Sequence, residues 1–73
     1  MNKIELRQVD HDNYENADGY TLRREDGESP DGIPFRKRWV FRDPEGNYLG
    51  HNGFRNDLAE EFNLRLRNPR LID

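Results

Sequence analysis

Four basic residues surround the only tryptophan of this chain, Trp39: they are Arg36, Lys37, Arg38 and Arg42. In an extended strand side chains alternate between two faces, so Arg36, Arg38 and Arg42 are expected on one face with Val40 among them. Guanidinium groups repeating about every 6.6 Å form a ladder that suits phosphates or carboxylates. Arg55 is expected to extend this ladder. The alternative is a solvated strand face whose charges prevent edge-to-edge aggregation.

Groups that catalyse reactions are scarce. The chain has one serine, one threonine and no cysteine. Ser29 lies between Glu28 and Pro30 in a turn-rich segment, where no general base is held in fixed geometry. A chain this short is also poorly suited to enclosing a pocket for paired carboxylates. We therefore expect neither an enzyme nor a cofactor.

An acidic segment, residues 10–18, contains Asp10, Asp12 and Tyr14. It lacks the sixth-position glycine and twelfth-position glutamate of a calcium loop, so no metal site is predicted. The simplest interpretation is a solvated connection. The alternative is a docking surface for a basic patch of another protein, with Tyr14 as its aromatic anchor.

Length and charge limit the class of protein. The 73 residues carry a net charge of −3 and are 37% charged, which predicts one small domain. Residues 1–32 are acidic and residues 33–72 are basic on balance. Such a bipolar chain favours a protein partner over a non-specific nucleic-acid binder. Without cysteine or a long apolar run, we expect a cytoplasmic monomer with no membrane association.

The elements that must position these residues are mostly strands. Alternation predicts strands at about 2–9, 19–24 and 35–42. Residues 43–46 (DPEG) match a type I turn and predict a hairpin to a short strand at 47–50. Phe35, Trp39 and Phe41 share parity and are expected to form the core face of the third strand.

A helix is predicted after Asn52-Gly53. Phe54, Leu58, Phe62 and Leu66 recur every four residues and would line one face of it. Asp57, Asn52 and Asn56 are alternative caps, and Asn68-Pro69 would end the helix. The expected fold is α+β: a three- or four-stranded antiparallel sheet with one C-terminal helix packed on its aromatic face.

A strand, a Pro-Gly turn, a second strand and a helix also resemble known DNA-binding modules. The residues that carry the resemblance are the run from Arg38 to Gly46, then Leu49-Gly50 and the helix start at 58–61. Over about residues 35–64 they are similar to AP2 domains and to the arm-binding domains of phage integrases. In those families the outer strand faces contact DNA, which implies DNA contacts by Arg36, Arg38, Arg42 and Arg55.

In size and charge only, the chain also resembles small phage-encoded regulators of host RNA polymerase. The leading hypothesis is a non-enzymatic regulator that occupies a charged surface of a partner protein, such as RNA polymerase or another nucleic-acid-associated complex. The runner-up is a sequence-specific DNA-binding module, and a third hypothesis is an accessory subunit of a larger assembly. The basic strand and the acidic segment both remain candidates for the binding surface.

Overall fold

The residues that the structure describes form one mixed sheet and one short helix. The computed structural model describes residues 3–67. The strands are β1 (Ile4–Asp10), β2 (Asn13–Glu15), β3 (Thr21–Glu28), β4 (Pro34–Arg42), β5 (Tyr48–Asn52) and β6 (Leu64–Arg67), and the helix is α1 (Arg55–Phe62). The expected strand start at residue 2 and the helix stop at Asn68-Pro69 lie outside the described residues. An α+β fold is confirmed.

The sheet has more strands than the sequence predicts. Within residues 3–67 it has six strands, which run in the order β5-β4-β3-β2-β1-β6. Neighbouring strands are antiparallel except β1 and β6, which pair in parallel. The predicted antiparallel sheet is thus correct for its central part, and the predicted β4–β5 hairpin is confirmed. Its turn is closed by the Gly46 N–H, which donates to the Asp43 carbonyl at 2.9 Å.

The predicted helix is too long. Helix α1 ends at Phe62, and Asn63 takes the left-handed conformation with φ 58° and ψ 51°. The Asn63 N–H donates to the Ala59 carbonyl, and its own carbonyl accepts from the Ile4 N–H at 3.2 Å. The chain therefore leaves the helix and pairs with β1. Leu66, expected on the helix stripe, lies in β6 instead.

The helix start also differs from the expected one. Phe54 occupies the N-cap position without a side-chain cap and is 72% exposed, so it does not belong to the buried stripe. Asn52 accepts the Phe54 N–H at 2.9 Å and thereby shapes the turn before the helix. Of the four residues at helical spacing, Leu58 is the one in α1 that is fully buried.

One hydrophobic core lies between the sheet and α1. Its buried members come from five strands and the helix: Leu6, Tyr14, Leu22, Trp39, Phe41, Leu58 and Leu64. Tyr20 stacks on Phe41 at 5.7 Å, and Phe62 of the helix approaches Phe41 at 5.1 Å between ring centroids. The expected burial of Trp39 and Phe41 is confirmed.

A bulge in β4 reverses the side-chain parity that the sequence predicts for its first residues. Glu25 pairs with Arg38 but Gly27 pairs with Phe35, so β4 has one extra residue opposite Asp26. Lys37 takes φ 50° there, and its N–H donates to the Asp26 carboxylate at 2.8 Å. An extra residue exchanges the faces of everything before it.

Phe35 therefore lies on the opposite face from Trp39. It stacks on His51 at 4.2 Å, and His51 is the cross-strand partner of Val40. Phe35 and Val40 are buried but stand apart from the main core. The expectation that Phe35 joins Trp39 and Phe41 on the core face is wrong, because period-two alternation does not continue across a bulge.

Candidate functional site

The face of the sheet away from α1, here called the outer face, carries a row of polar side chains across all six strands. Paired residues of neighbouring strands project from the same face. Since Ile4, Leu6, Leu64 and Leu66 pack on the core, the residues that alternate with them on β1 and β6 point outward. Register then defines the outer row from edge to edge as Arg67, Arg7, Glu15, Thr21, Arg42 and Tyr48.

Arginines dominate this surface. The outer face carries Arg7, Arg23, Arg38, Arg42, Arg65 and Arg67, together with the glutamates Glu5, Glu15 and Glu25. Within residues 3–67 the salt bridges are Arg42 with Glu25, and Arg67 with Glu5 at 2.8 Å. The other four outer arginines thus have guanidinium groups that are not engaged by a carboxylate of the described chain.

The predicted ladder is only partly present. Arg38 and Arg42 lie on the outer face as expected, on either side of the fully buried Val40. Arg36 lies within the bulge and, as the neighbour of Phe35 in the chain, projects from the other side of the strand from Phe35. It therefore does not join Arg38 and Arg42 on the outer face. Lys37 is exposed, but its backbone is used to hold the bulge against Asp26.

Arg55 does not extend the ladder. It is the first residue of α1 and lies on the core side of the sheet, with its guanidinium carbon 5.8 Å from the centroid of the Trp39 ring. A cation over an indole face gains a favourable electrostatic contact. Arg55 therefore helps to hold α1 against the sheet.

Tyr14 is not an exposed anchor. It is the central residue of β2, is fully buried, and meets the Trp39 ring edge-to-face at 5.8 Å. Residues 13–15 within the predicted loop thus form the strand that joins β1 to β3. The interpretation of Tyr14 as a docking group is wrong, because burial of its ring stabilises the centre of the sheet.

Asp10 and Asp12 form the turn between β1 and β2. The Asp10 carboxylate accepts the Asp12 N–H at 2.9 Å and the Asn13 amide at 2.7 Å. These hydrogen bonds, first that from Asp12, hold the pKa of Asp10 below its usual value of 3.8. The Asp12 carbonyl accepts the Arg24 N–H at 2.9 Å. Asp10 thus shapes the turn, while the exposed Asp12 lines a shallow polar cleft with Arg24 and Lys37.

An aromatic cluster borders the outer face at β5. The Tyr48 hydroxyl and His51 Nδ1 lie 2.6 Å apart, and His51 stacks on Phe35. Burial raises the pKa of Tyr48 above 10.0, with the carboxylates of Glu61 and Asp31 adding to the effect. The phenol therefore stays neutral and hydrogen-bonded to the imidazole beside the arginines.

Sequence reasoning missed Arg7, Arg23, Arg65 and Arg67. The signal for the last two was present in the strict alternation of Leu64-Arg65-Leu66-Arg67, which is typical of a half-buried strand. The four-residue spacing of apolar residues from Phe54 to Leu66 favoured a helix over the strand that this alternation indicates. Arg7 and Arg23 were in predicted strands, but only the register shows that their strands present them on the same face as Arg38.

Among residues 3–67, no three His, Cys, Asp or Glu side chains come together as ligands for a metal ion. No helix in that part of the chain is long and apolar enough to cross a membrane. Comparisons with protein-family models, curated proteins and solved structures return no match.

Proposed function

We propose that this chain is a non-enzymatic, protein-binding regulator that docks on a charged surface of its partner through the outer face. The observation that supports the proposal is the collection of six arginines on one face of one sheet. Arginine is enriched at protein interfaces because its planar group binds carboxylates in a bidentate manner.

The mixture of charges favours a protein partner. Glutamates occur on the same face as the arginines, and the whole chain has a net charge of −3. These carboxylates would weaken the attraction of the outer face for a polyanion, whereas a protein surface can present both signs of charge to it. By occupying a charged patch on its partner, the chain would block the binding of another molecule to that patch. Host RNA polymerase is the first partner to test, given the likeness in size and charge to small phage regulators.

The second candidate function is DNA binding through the same face. It is favoured by the number of outer arginines, which exceeds the set expected from β4 alone. Its signature would be an affinity for duplex DNA that falls steeply as the salt concentration rises.

Adjacent exposed arginines on opposite faces offer a matched test. Arg23→Gln with Arg38→Gln removes two outer guanidiniums, whereas Arg24→Gln with Arg36→Gln removes the same charge from outside that face. Each double variant would be compared with the original chain in two assays. The first is capture of proteins from cell lysate, with identification by mass spectrometry, and the second is binding of duplex DNA at low and high salt.

We expect the outer pair to lose a specifically captured protein, because exposed guanidiniums would contact it, and the control pair to retain it. Equal capture by both pairs would refute the choice of surface. Salt-sensitive DNA binding that is weakened by the outer pair, with no captured protein, would favour the second function instead. Circular dichroism of each variant would verify that all of them fold.

A further inference from the structure

Positive and negative side chains alternate in position across the outer face, and this arrangement limits the kind of partner that the face can bind. Arg65 pairs with Glu5 across β1 and β6, and the Glu5 carboxylate also binds Arg67. Together with Arg7, these residues form a first cluster of three arginines around one glutamate.

The second cluster has the same composition at β3 and β4. Glu25 pairs with Arg38 across the strands and forms a salt bridge with Arg42, and Arg23 lies two residues before Glu25 on the same face. Each cluster has a net charge of +2. The centres of the β1/β6 and β3/β4 pairs are three strand spacings apart, about 14 Å across the strands, and the register shifts the second cluster by about 12 Å along them, so the two clusters lie about 18 Å apart.

The strand between the clusters carries the opposite sign. Glu15 of β2 lies in the outer row between Arg7 and Thr21, is exposed, and takes part in neither salt bridge found within residues 3–67. Beside it, a shallow cleft of about 400 Å³ is lined by Arg7, Val9 and Ala17 among others. Glu15 also lines this cleft, so a cation bound there would lie beside its carboxylate.

One contact in the first cluster also indicates an anionic ligand. Arg7 and Arg67 are direct partners in the parallel register of β1 and β6. Like charges placed directly opposite each other on a sheet destabilise it. The Glu5 carboxylate on Arg67 and the Glu15 carboxylate opposite Arg7 offset part of this repulsion, and a carboxylate from a partner would offset more of it, because it can bind between two guanidiniums.

We propose that the outer face binds a protein segment whose charges run acidic, basic, acidic over about 18 Å. The acidic groups contact the two arginine clusters, and the basic group contacts Glu15. A nucleic acid backbone offers no cation for the central position, so the pattern favours a mixed-charge protein segment. This inference depends on the proposed function and specifies the partner of the same surface.

Synthetic peptides test the order of charges directly. One peptide has acidic blocks on both sides of central lysines, and a second has the same composition with the lysines moved to one end. Fluorescence anisotropy at low salt measures both, with duplex DNA as a third probe. We expect tighter binding of the ordered peptide.

Glu15→Gln should weaken binding of the ordered peptide by about two- to fivefold, the effect of one exposed charge pair. The same variant should bind duplex DNA more tightly, because it removes a repulsive carboxylate. Glu45→Gln is the matched control: it removes the same charge from the exposed β4–β5 turn and should leave peptide binding unchanged.

Equal binding of the two peptides, absence of peptide binding, or no loss with Glu15→Gln would overturn the inference. DNA binding stronger than that of either peptide would overturn it in favour of a nucleic acid. If any of these occurs while the outer arginine pair is still required to capture a protein from lysate, the proposed function stands and only the charge order is wrong.

Discussion

The boundary between α1 and β6 can be tested by two substitutions at Asn63. In the structure this residue is left-handed, with φ 58°, and it separates the helix from the strand. Asn63→Gly and Asn63→Ala both remove the amide side chain, so their difference reports on the backbone alone. If residues 54–66 formed one continuous helix instead, the same position would be in its interior.

The left-handed Asn63 and the continuous helix predict opposite signs for the difference in stability between the glycine and alanine variants. A left-handed conformation costs a residue with a Cβ atom about 1–2 kcal/mol, a penalty that glycine avoids. The glycine variant should therefore be more stable than the alanine variant by that amount. In a helix interior alanine is instead better than glycine by about 1 kcal/mol.

Chemical and thermal unfolding would measure this difference. For a domain of this size 1–2 kcal/mol corresponds to a difference in Tm of about 4–16 °C. The control is Glu60→Gly against Glu60→Ala at an exposed position within α1, where alanine should be the more stable. If alanine is the more stable at position 63 as well, the helix continues and β6 does not exist as described.

Two further predictions concern packing and pH. A Cβ at Gly50 would lie 2.8 Å from the Phe62 ring, so Gly50→Ala should destabilise the fold by about 1–3 kcal/mol. Gly53→Ala is the control, because a Cβ there has its nearest neighbour at 3.5 Å and should not destabilise the fold. Equal unfolding midpoints for the two variants would contradict this packing. Hydrogen bonds, chiefly from the Asn47 N–H, hold the pKa of Asp43 in the folded state below its usual 3.8. Its carboxylate therefore stabilises the folded state fully above 3.8, and this contribution is lost as the pH falls from 3.8 through the lower folded-state pKa. The difference in Tm between the original chain and Asp43→Asn should therefore shrink on acidification, and a difference independent of pH would contradict the assignment.

Local signals predicted the local structure well. Asp43, Pro44 and Gly46 specify their turn through conformational preferences and nearby hydrogen bonds, so the β4–β5 hairpin could be anticipated. The burial of Trp39 and Phe41 follows from alternation along one strand. The α+β class follows from the same patterns, because an aromatic strand face and an amphipathic helix each need the other.

The predictions were wrong where contacts between residues far apart in the chain determine the local structure. Tyr14 lies among acidic and polar residues, and only pairing with β1 and β3 makes it a core residue. Leu66 fits a helix by its spacing, but pairing with Leu6 in β1 places it in a strand. Phe35 changes face because Asp26, on another strand, captures the Lys37 N–H and stabilises a bulge.

Composition and spacing alone determined that this chain has an arginine-rich strand beside an aromatic core, one serine, one threonine, no cysteine and a bipolar distribution of charge. Tertiary structure alone decided which arginines share a surface: it added Arg7, Arg23, Arg65 and Arg67 to that surface, and it removed Arg36 and Arg55. The physical reason is that a side chain's face depends on strand register. Register depends on which side chains the assembled sheet buries and on the turns between its strands, and both involve segments that are far apart in the chain.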